Sequence, residues 1–250
     1  MTDWAFELAD NPNTYTPLSP HHERIVTDRY VLFMTSRGGG GAVAQRFRFD
    51  AGELEDVRAE LHGQMRERGR EKLAWEVGTG GTPTDLVDRL LALGLEDDGV
   101  QVGRVLDAPP AADSTDGIEV RRVSNDEEMF AAEHIAAVAF GEGEAKRVPY
   151  VPDPTNVVYL AYVDGEPAAR GSASFGEHGV SLFGGSTLPE ARGRGAYRAL
   201  VAARWDDAVA RGTPLLVTQA SPMSHPILAR LGFREVTRIR ALNDRIGISP

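Results

Sequence analysis

The chain has 250 residues, 42% of them hydrophobic and 26% charged, with a formal charge of −10 and no cysteine. The apolar content excludes a disordered or collagen-like chain, and the missing thiols exclude disulfides, thiolate zinc sites and a cysteine nucleophile. Acidity argues against nucleic acid as a partner, because neutralising phosphates needs clustered Lys and Arg.

No run of about 18 apolar residues reads as a membrane span, and Met1–Asp10 lacks the basic start and apolar core of a signal peptide. A reducing cytoplasm is the expected setting, with no membrane partner. The charge is unevenly divided: residues 1–117 carry 21 acids and 12 bases, whereas 118–250 carry 16 acids and 15 bases. This length fits one large domain or two ordinary ones. The segment 107–117, DAPPAADSTDG, has no apolar periodicity and reads as a linker between domains at 1–106 and 118–250.

In chain order, Tyr30–Ser36 and Ala42–Phe49 read as two strands joined by a loose glycine turn at Arg37–Gly41. Asp50 caps a helix expected to run to about Arg68, with Glu53, Glu55 and Asp56 near its first turn. Lys72–Val77 reads as a strand and Thr84–Leu93 as a helix ended by Gly94. After the linker come a strand at Ile118–Val123, a helix at Asn125–Phe140 and a long Gly/Pro loop over 141–156. Three strands follow at Val157–Val163, Ala168–Phe175 and Val180–Gly185, the first two joined by an Asp164–Gly165 turn. A helix from about Gly195 to Ala210, a strand at Leu215–Gln219, a short helix to Leu231 and a strand from Phe233 to about Leu242 complete the chain. The order predicts an α+β fold with a mixed sheet.

The stretch that carries chemistry is 180–212, VSLFGGSTLPEARGRGAYRALVAARWDDAVARG. A strand ends at Pro189, and Arg192-Gly193-Arg194-Gly195 leads straight into an amphipathic helix. Free N–H groups and the dipole at a helix start attract anions, and glycines let phosphate oxygens approach the backbone. Two arginines add charge and donors, so the loop reads as a pyrophosphate cradle. It is not a P-loop, because no Gly–Lys–Ser/Thr follows, nor a dinucleotide fingerprint, because the third glycine is missing.

With the late Leu231-Gly232-Phe233, this stretch resembles the GNAT family of acetyl-CoA-dependent N-acetyltransferases over about 118–245. The family's pyrophosphate loop falls on Arg192, Gly193, Arg194, Gly195, Ala196 and Tyr197, with Tyr197 replacing a terminal small residue. The resemblance implies a GNAT-like, mostly antiparallel sheet flanked by helices. It also implies acetyl-CoA as cosubstrate, its pantetheine arm pairing with Ser186, Thr187 and Leu188.

The reaction so implied is attack of an amine on the thioester, which needs a base and an acid. The family's frequent tyrosine acid falls on Leu228, leaving Ser224 and His225 as substitutes, or as a helix cap and a surface group. The strand before the loop lacks the frequent carboxylate. The nearest titratable groups, Glu177 and His178, lie in a turn that also reads as simply solvated. By analogy the 141–156 loop covers the acceptor, with Glu142 and Glu144 facing a cationic amine and Lys146–Arg147 offsetting them.

The first half echoes the second. Thr82-Pro83 followed by Leu90-Leu-Ala-Leu-Gly-Leu95 parallels Ser221-Pro222 followed by Leu228-Ala-Arg-Leu-Gly-Phe233. Residues 1–106 therefore read as an incomplete GNAT-like lobe, or as an accessory lobe if the echo is chance. Its helix start at Asp50 is acidic and repels a pyrophosphate. His21 and His22 lack a third ligand at metal spacing, so no metal is expected. The function read from the sequence is N-acetyltransfer from acetyl-CoA to an amine on a small molecule, a peptide or a protein N-terminus, in a chain free to oligomerise. The rival readings are a non-catalytic acyl-CoA-binding module and an acidic scaffold lobe that docks a basic partner.

Overall fold

The computed structural model describes residues 2–36, 41–111, 117–141, 143–221 and 224–247. Contacts divide the chain into two compact units. The first comprises Met1–Arg104, Gln219–His225 and Glu235–Pro250, and the second Val105–Thr218 and Pro226–Arg234. The expected cut at 107–117 assigns everything beyond it to one domain, whereas the chain returns its last segment to the first unit. Of the linker itself, 112–116 lie outside the described residues, as do 37–40 of the expected glycine turn.

The first unit opens with α1 (Trp4–Asp10), α2 (Pro12–Tyr15) and β1 (His22–Val26), none of which the sequence reading anticipated. Then come β2 (Val31–Thr35), β3 (Ala42–Gln45), α3 (Leu54–Glu67), β4 (Lys72–Gly78), α4 (Leu86–Ala92) and β5 (Glu96–Leu106), and the unit closes with β11 (Arg234–Arg245). Its strand order is β1-β2-β3-β4-β11-β5. Seven register positions join β4 to β11, from Ile239↔Gly78 to Arg245↔Lys72. A buried carboxylate fixes the same strand on its other side: Asp244 accepts from Arg58 Nε at 3.2 Å and lies 2.7 Å from His62 Nε2, both on α3. Burial opposes its ionisation, but the hydrogen bonds from Arg58 and His62 prevail and hold it below the ordinary carboxylate range.

One face of this sheet packs against α3 and α4 through Leu32, Phe47, Leu61, Met65, Trp75, Leu90 and Leu242. Phe47 and Trp75 stack with centroids 5.0 Å apart. Because side chains alternate along a strand, the opposite face carries Ala74, Glu76 and Gly78 of β4. Asp10, at the end of α1, lies on that face: a Cβ built on Gly78 would stand 2.1 Å from its Oδ1.

The second unit comprises β6 (Ile118–Arg122), α5 (Asp126–Phe140), β7 (Asn156–Val163), β8 (Glu166–Phe175), β9 (Val180–Thr187), α6 (Ala196–Ala210), β10 (Leu216–Ala220) and α7 (His225–Arg230), whose first residue counts with the first unit. The strand order is β10-β9-β8-β7-β6. Asn125 caps α5 by accepting from Glu128 N at 2.9 Å, and Gly141, at φ 70°, ends it. Met129, Ala132 and Ile135 of α5 pack on Leu160 and Tyr162. No helix among the described residues is long and apolar enough to cross a membrane.

The same element recurs in both units. In the first, β3 and β4 are parallel at Val43↔Ala74 and Ala44↔Trp75, connected through α3; in the second, β9 and β10 are parallel at Val180↔Leu216 and Ser181↔Val217, connected through α6.

Burial alone raises the Glu76 carboxyl to about 7. Below pH 4 it is protonated in both folded and unfolded chains and costs nothing. As pH rises through the unfolded value the open chain ionises first, so stability is lost until the folded carboxyl ionises as well. Glu76→Gln removes this cost: it should raise the unfolding free energy by about 3 kcal/mol at pH 8 and by almost nothing at pH 4, measured by urea denaturation.

Candidate functional site

The pairing of β9 with β10 lasts two positions, while its pairing with β8 continues to Ala169↔Thr187. Between Arg170 and Ser172 the β8 register shifts, and the two exposed residues on β9 there are Gly184 and Gly185. Gly184 has φ +56°, a conformation that glycine adopts without strain. β9 thus presents an irregular, open stretch just before the loop. Ser186 is buried and its Oγ has no hydrogen-bond partner, and Leu188 N donates to Ala168 O at 2.9 Å.

A single 3-10 turn at Pro189–Ala191 then aims the chain into the glycines. Gly193 and Gly195 both take positive φ, 78° and 92°. Gly195 is the residue before α6, where it has no side chain with which to cap the first turn, and no acid lies in that turn. The first N–H groups of a helix have no acceptor within it, so α6 offers donors and the positive end of its dipole at this point. Nothing lies within 4 Å of a Cβ built on Gly193. Arg192 and Arg194 are exposed; Arg192 Nε donates to Thr187 O at 3.4 Å and Arg194 pairs with Asp164 at 2.7 Å on the rim. The residues fit a pyrophosphate by chemistry and by open space.

Tyr197, the departure from the family's small residue, has its counterpart on the strand. A Cβ on Gly185 would stand 2.6 Å from Cε2 of the Tyr197 ring, so the absence of a side chain on β9 makes room for the extra bulk on α6. Beneath it lies a charge not anticipated from the sequence. Arg204 is 1% exposed, with Nε donating to Leu200 O at 2.9 Å and Nη1 to Ser172 O at 3.3 Å. Burial lowers its pKa, opposed by a hydrogen bond with Tyr197. Gly171 admits it, since a Cβ there would stand 2.9 Å from Nη1. Its place four residues after Leu200 and four before Ala208, on the buried stripe, is the signal that marks it. Arg204 sets a fixed positive charge behind the open stretch of β9.

The proton-transfer candidates lie elsewhere. Glu177 is exposed in the β8–β9 hairpin, 3.9 Å from His178, at the Val180 end of β9. Five residues of strand, roughly 16 Å at extended spacing, separate that end from Gly185. Ser224 bonds the Ser221 carbonyl at 3.3 Å and its hydroxyl at 3.2 Å, as a helix-start residue does. Nδ1 of His225 stands 2.9 Å from Arg104 Nη2, so the ring accepts from a guanidinium; both residues count with the first unit. Leu228, in the position of the family's acid, is 1% exposed and apolar. In the 141–156 loop Glu144 is exposed, Arg147 pairs with Glu127 and lies over Phe130, and Glu142 is outside the described residues. Among the described residues no cluster of three or more His, Asp or Glu could hold a metal ion.

In the first unit the corresponding helix start is closed. In the 3-10 turn Ala51–Glu53 that runs straight into α3, Asp50 and Glu53 form a reciprocal capping box, Asp50 N donating to Glu53 Oε2 at 2.8 Å, and Glu55 and Asp56 follow in the first turn of α3.

Gly195 takes a backbone conformation that other residues adopt at a cost, and a Cβ there would meet Ile118 Cδ1 at 3.3 Å. Gly195→Ala should therefore lower the unfolding free energy by about 1–2 kcal/mol in urea denaturation; undiminished stability would contradict this backbone geometry.

No family model matches the chain, and no curated protein matches it. Solved structures do. A GCN5-related N-acetyltransferase from Kribbella flavida superposes with a TM-score of 0.77 at 20% identity, covering 99% of this chain and 97% of that one. A GCN5-related N-acetyltransferase from Sphaerobacter thermophilus gives 0.62 at 15% identity, covering 90% of this chain and 83% of that one. A tandem GNAT protein from the clavulanic acid biosynthesis pathway gives 0.59 at 15% identity, covering 99% and 95%. These matches span both units, and the fold of the chain is that of the GCN5-related N-acetyltransferases.

Proposed function

We propose that the second unit binds acetyl-CoA and that the protein transfers its acetyl group to an amine, on a small molecule or a peptide. The observation that carries this reading is the start of α6: an uncapped helix N-terminus behind two positive-φ glycines, flanked by exposed arginines, at the end of an opened strand. Arg192, Gly193, Arg194, Gly195, Ala196 and Tyr197 would hold the pyrophosphate through backbone N–H groups and guanidinium charge. Ser186, Thr187 and Leu188 would supply the strand edge for the pantetheine arm. The cosubstrate, when bound, supplies an activated thioester carbonyl.

For the proton transfers, Ser224 and His225 are the acid candidates we carry forward, because Leu228 has no proton to give. Glu177 is the weaker candidate for the base, being a solvated turn residue at the far end of β9. The buried Leu228 also favours a second reading, a module that binds acyl-CoA without turnover.

Thiol release from acetyl-CoA, followed with a broad panel of primary amines, separates the two. The transferase reading expects turnover with at least one amine, lost at least 100-fold in Gly195→Glu, whose added carboxylate faces the place of the pyrophosphate. His225→Gln should lower kcat at least tenfold with KM for acetyl-CoA unchanged, and Glu177→Gln should change the rate less than twofold. Binding of acetyl-CoA without release in the presence of any amine would establish the second reading instead.

A further inference from the structure

The open stretch of β9 has two walls, each formed by a large side chain standing where a glycine of the strand has none. On one side β9 stays paired with β8, and on the other its pairing with β10 ends at Ser181↔Val217. Past that point Phe183 is half-buried and Gly184 and Gly185 are exposed, before Ser186 is buried again. Successive residues of a strand face opposite ways. A Cβ on Gly184 would stand 2.7 Å from Arg170 Nη1 on one face. A Cβ on Gly185 would stand 2.6 Å from Tyr197 Cε2 and 3.3 Å from its Oη on the other.

Both walls are held in place. Arg170 Nη1 donates to Gly184 O at 3.4 Å and its Nη2 to Ser172 Oγ at 3.1 Å. Behind Tyr197 stands the buried Arg204, tied to the Leu200 and Ser172 carbonyls and hydrogen-bonded to Tyr197. The half-buried ring is thus confined by β9 on one side and by a fixed guanidinium on another. Neither wall yields cheaply to an aliphatic chain. Covering the Arg170 charge with one costs free energy, and passing Tyr197 means displacing a packed ring.

The acetyl-CoA reading orients a ligand along this stretch. With the pyrophosphate at Arg192–Tyr197 and the arm on Leu188, Thr187 and Ser186, the arm runs back along β9 away from the loop. Its thioester end therefore falls toward Gly185 and Gly184, between the ring and the guanidinium. An acetyl group adds a single methyl beyond the carbonyl, whereas a longer acyl chain has to pass one of the walls.

We propose that Tyr197 sets the acyl length of the cosubstrate, its ring closing the space beside Gly185 so that acetyl is accepted and hexanoyl is not. The inference rests on the acetyl-CoA reading, and it gives the bulky residue at 197 a purpose within that site.

The test is calorimetric titration of the full chain with acetyl-CoA and with hexanoyl-CoA, without an amine, so that binding is read apart from turnover. The native chain should prefer acetyl-CoA by roughly tenfold or more. An unobstructed apolar pocket gives the opposite order, because each added methylene gains free energy on leaving water. Tyr197→Ala should bring the two affinities within about threefold of each other. Comparing two ligands on one variant cancels any change in its hold on the pyrophosphate they share. Tyr197→Phe keeps the ring and should keep the native preference, with far-UV circular dichroism unchanged in both variants. Equal affinities in the native chain would overturn the proposal and leave the acetyl-CoA reading standing, as would an undiminished preference in folded Tyr197→Ala or its loss in Tyr197→Phe. Binding of neither ligand by the native chain would overturn both.

Discussion

A helix that begins without a cap leaves donors that something else must satisfy, and the two helices that connect the parallel strand pairs in this chain answer that constraint in opposite ways. At α3 the answer is internal: Asp50 and Glu53 bond each other's backbone, and further acids sit on the dipole. At α6 there is no cap side chain and no acid, only two glycines in conformations that keep Cβ atoms out of the way. The uneven charge of the chain follows the same division, because the carboxylates that close one helix start are among those that make residues 1–117 acidic. One fold element is used twice, once sealed and once left open to an anion.

The open start depends on accommodations around it. Tyr197 needs Gly185, and Arg204 needs Gly171; in each pair the strand gives up a side chain so that the helix can place a large one. A buried guanidinium without a carboxylate is costly to keep, and such departures from ordinary burial rules concentrate where a protein works. Glu76 is the counterpart in the first unit, an acid whose Oε2 is buried without a hydrogen-bond partner.

How much of this the sequence discloses depends on the range of the interactions. The cradle is legible because it is local: Pro189, the two glycines and the helix after them determine one another within a dozen residues. The strands from β7 to β9 are legible for the same reason, being hairpins with turn residues between them. The return of β11 to the first unit is not, since its partners on β4 and the Arg58–His62 pair that holds Asp244 lie more than 150 residues away. β5 is not legible either: its acidic start carries no strand signal, and Glu96 and Asp97 find their partners only in Arg245 and Arg240 of β11. α1 escaped notice because seven residues hold too little periodicity to register, although Asp3 caps it through Phe6 N. Arg204 was written into the apolar stripe of α6 but masked by its charge.

The central claim is that the chain holds one acetyl-CoA, on the second unit, and none on the first. The number of cosubstrate molecules bound by the intact chain at saturation, counted by calorimetry at known active concentration, tests it most directly. The account predicts one. Two would mean that the acidic start of α3 does not exclude the cosubstrate, and none would mean that the open start of α6 does not bind it.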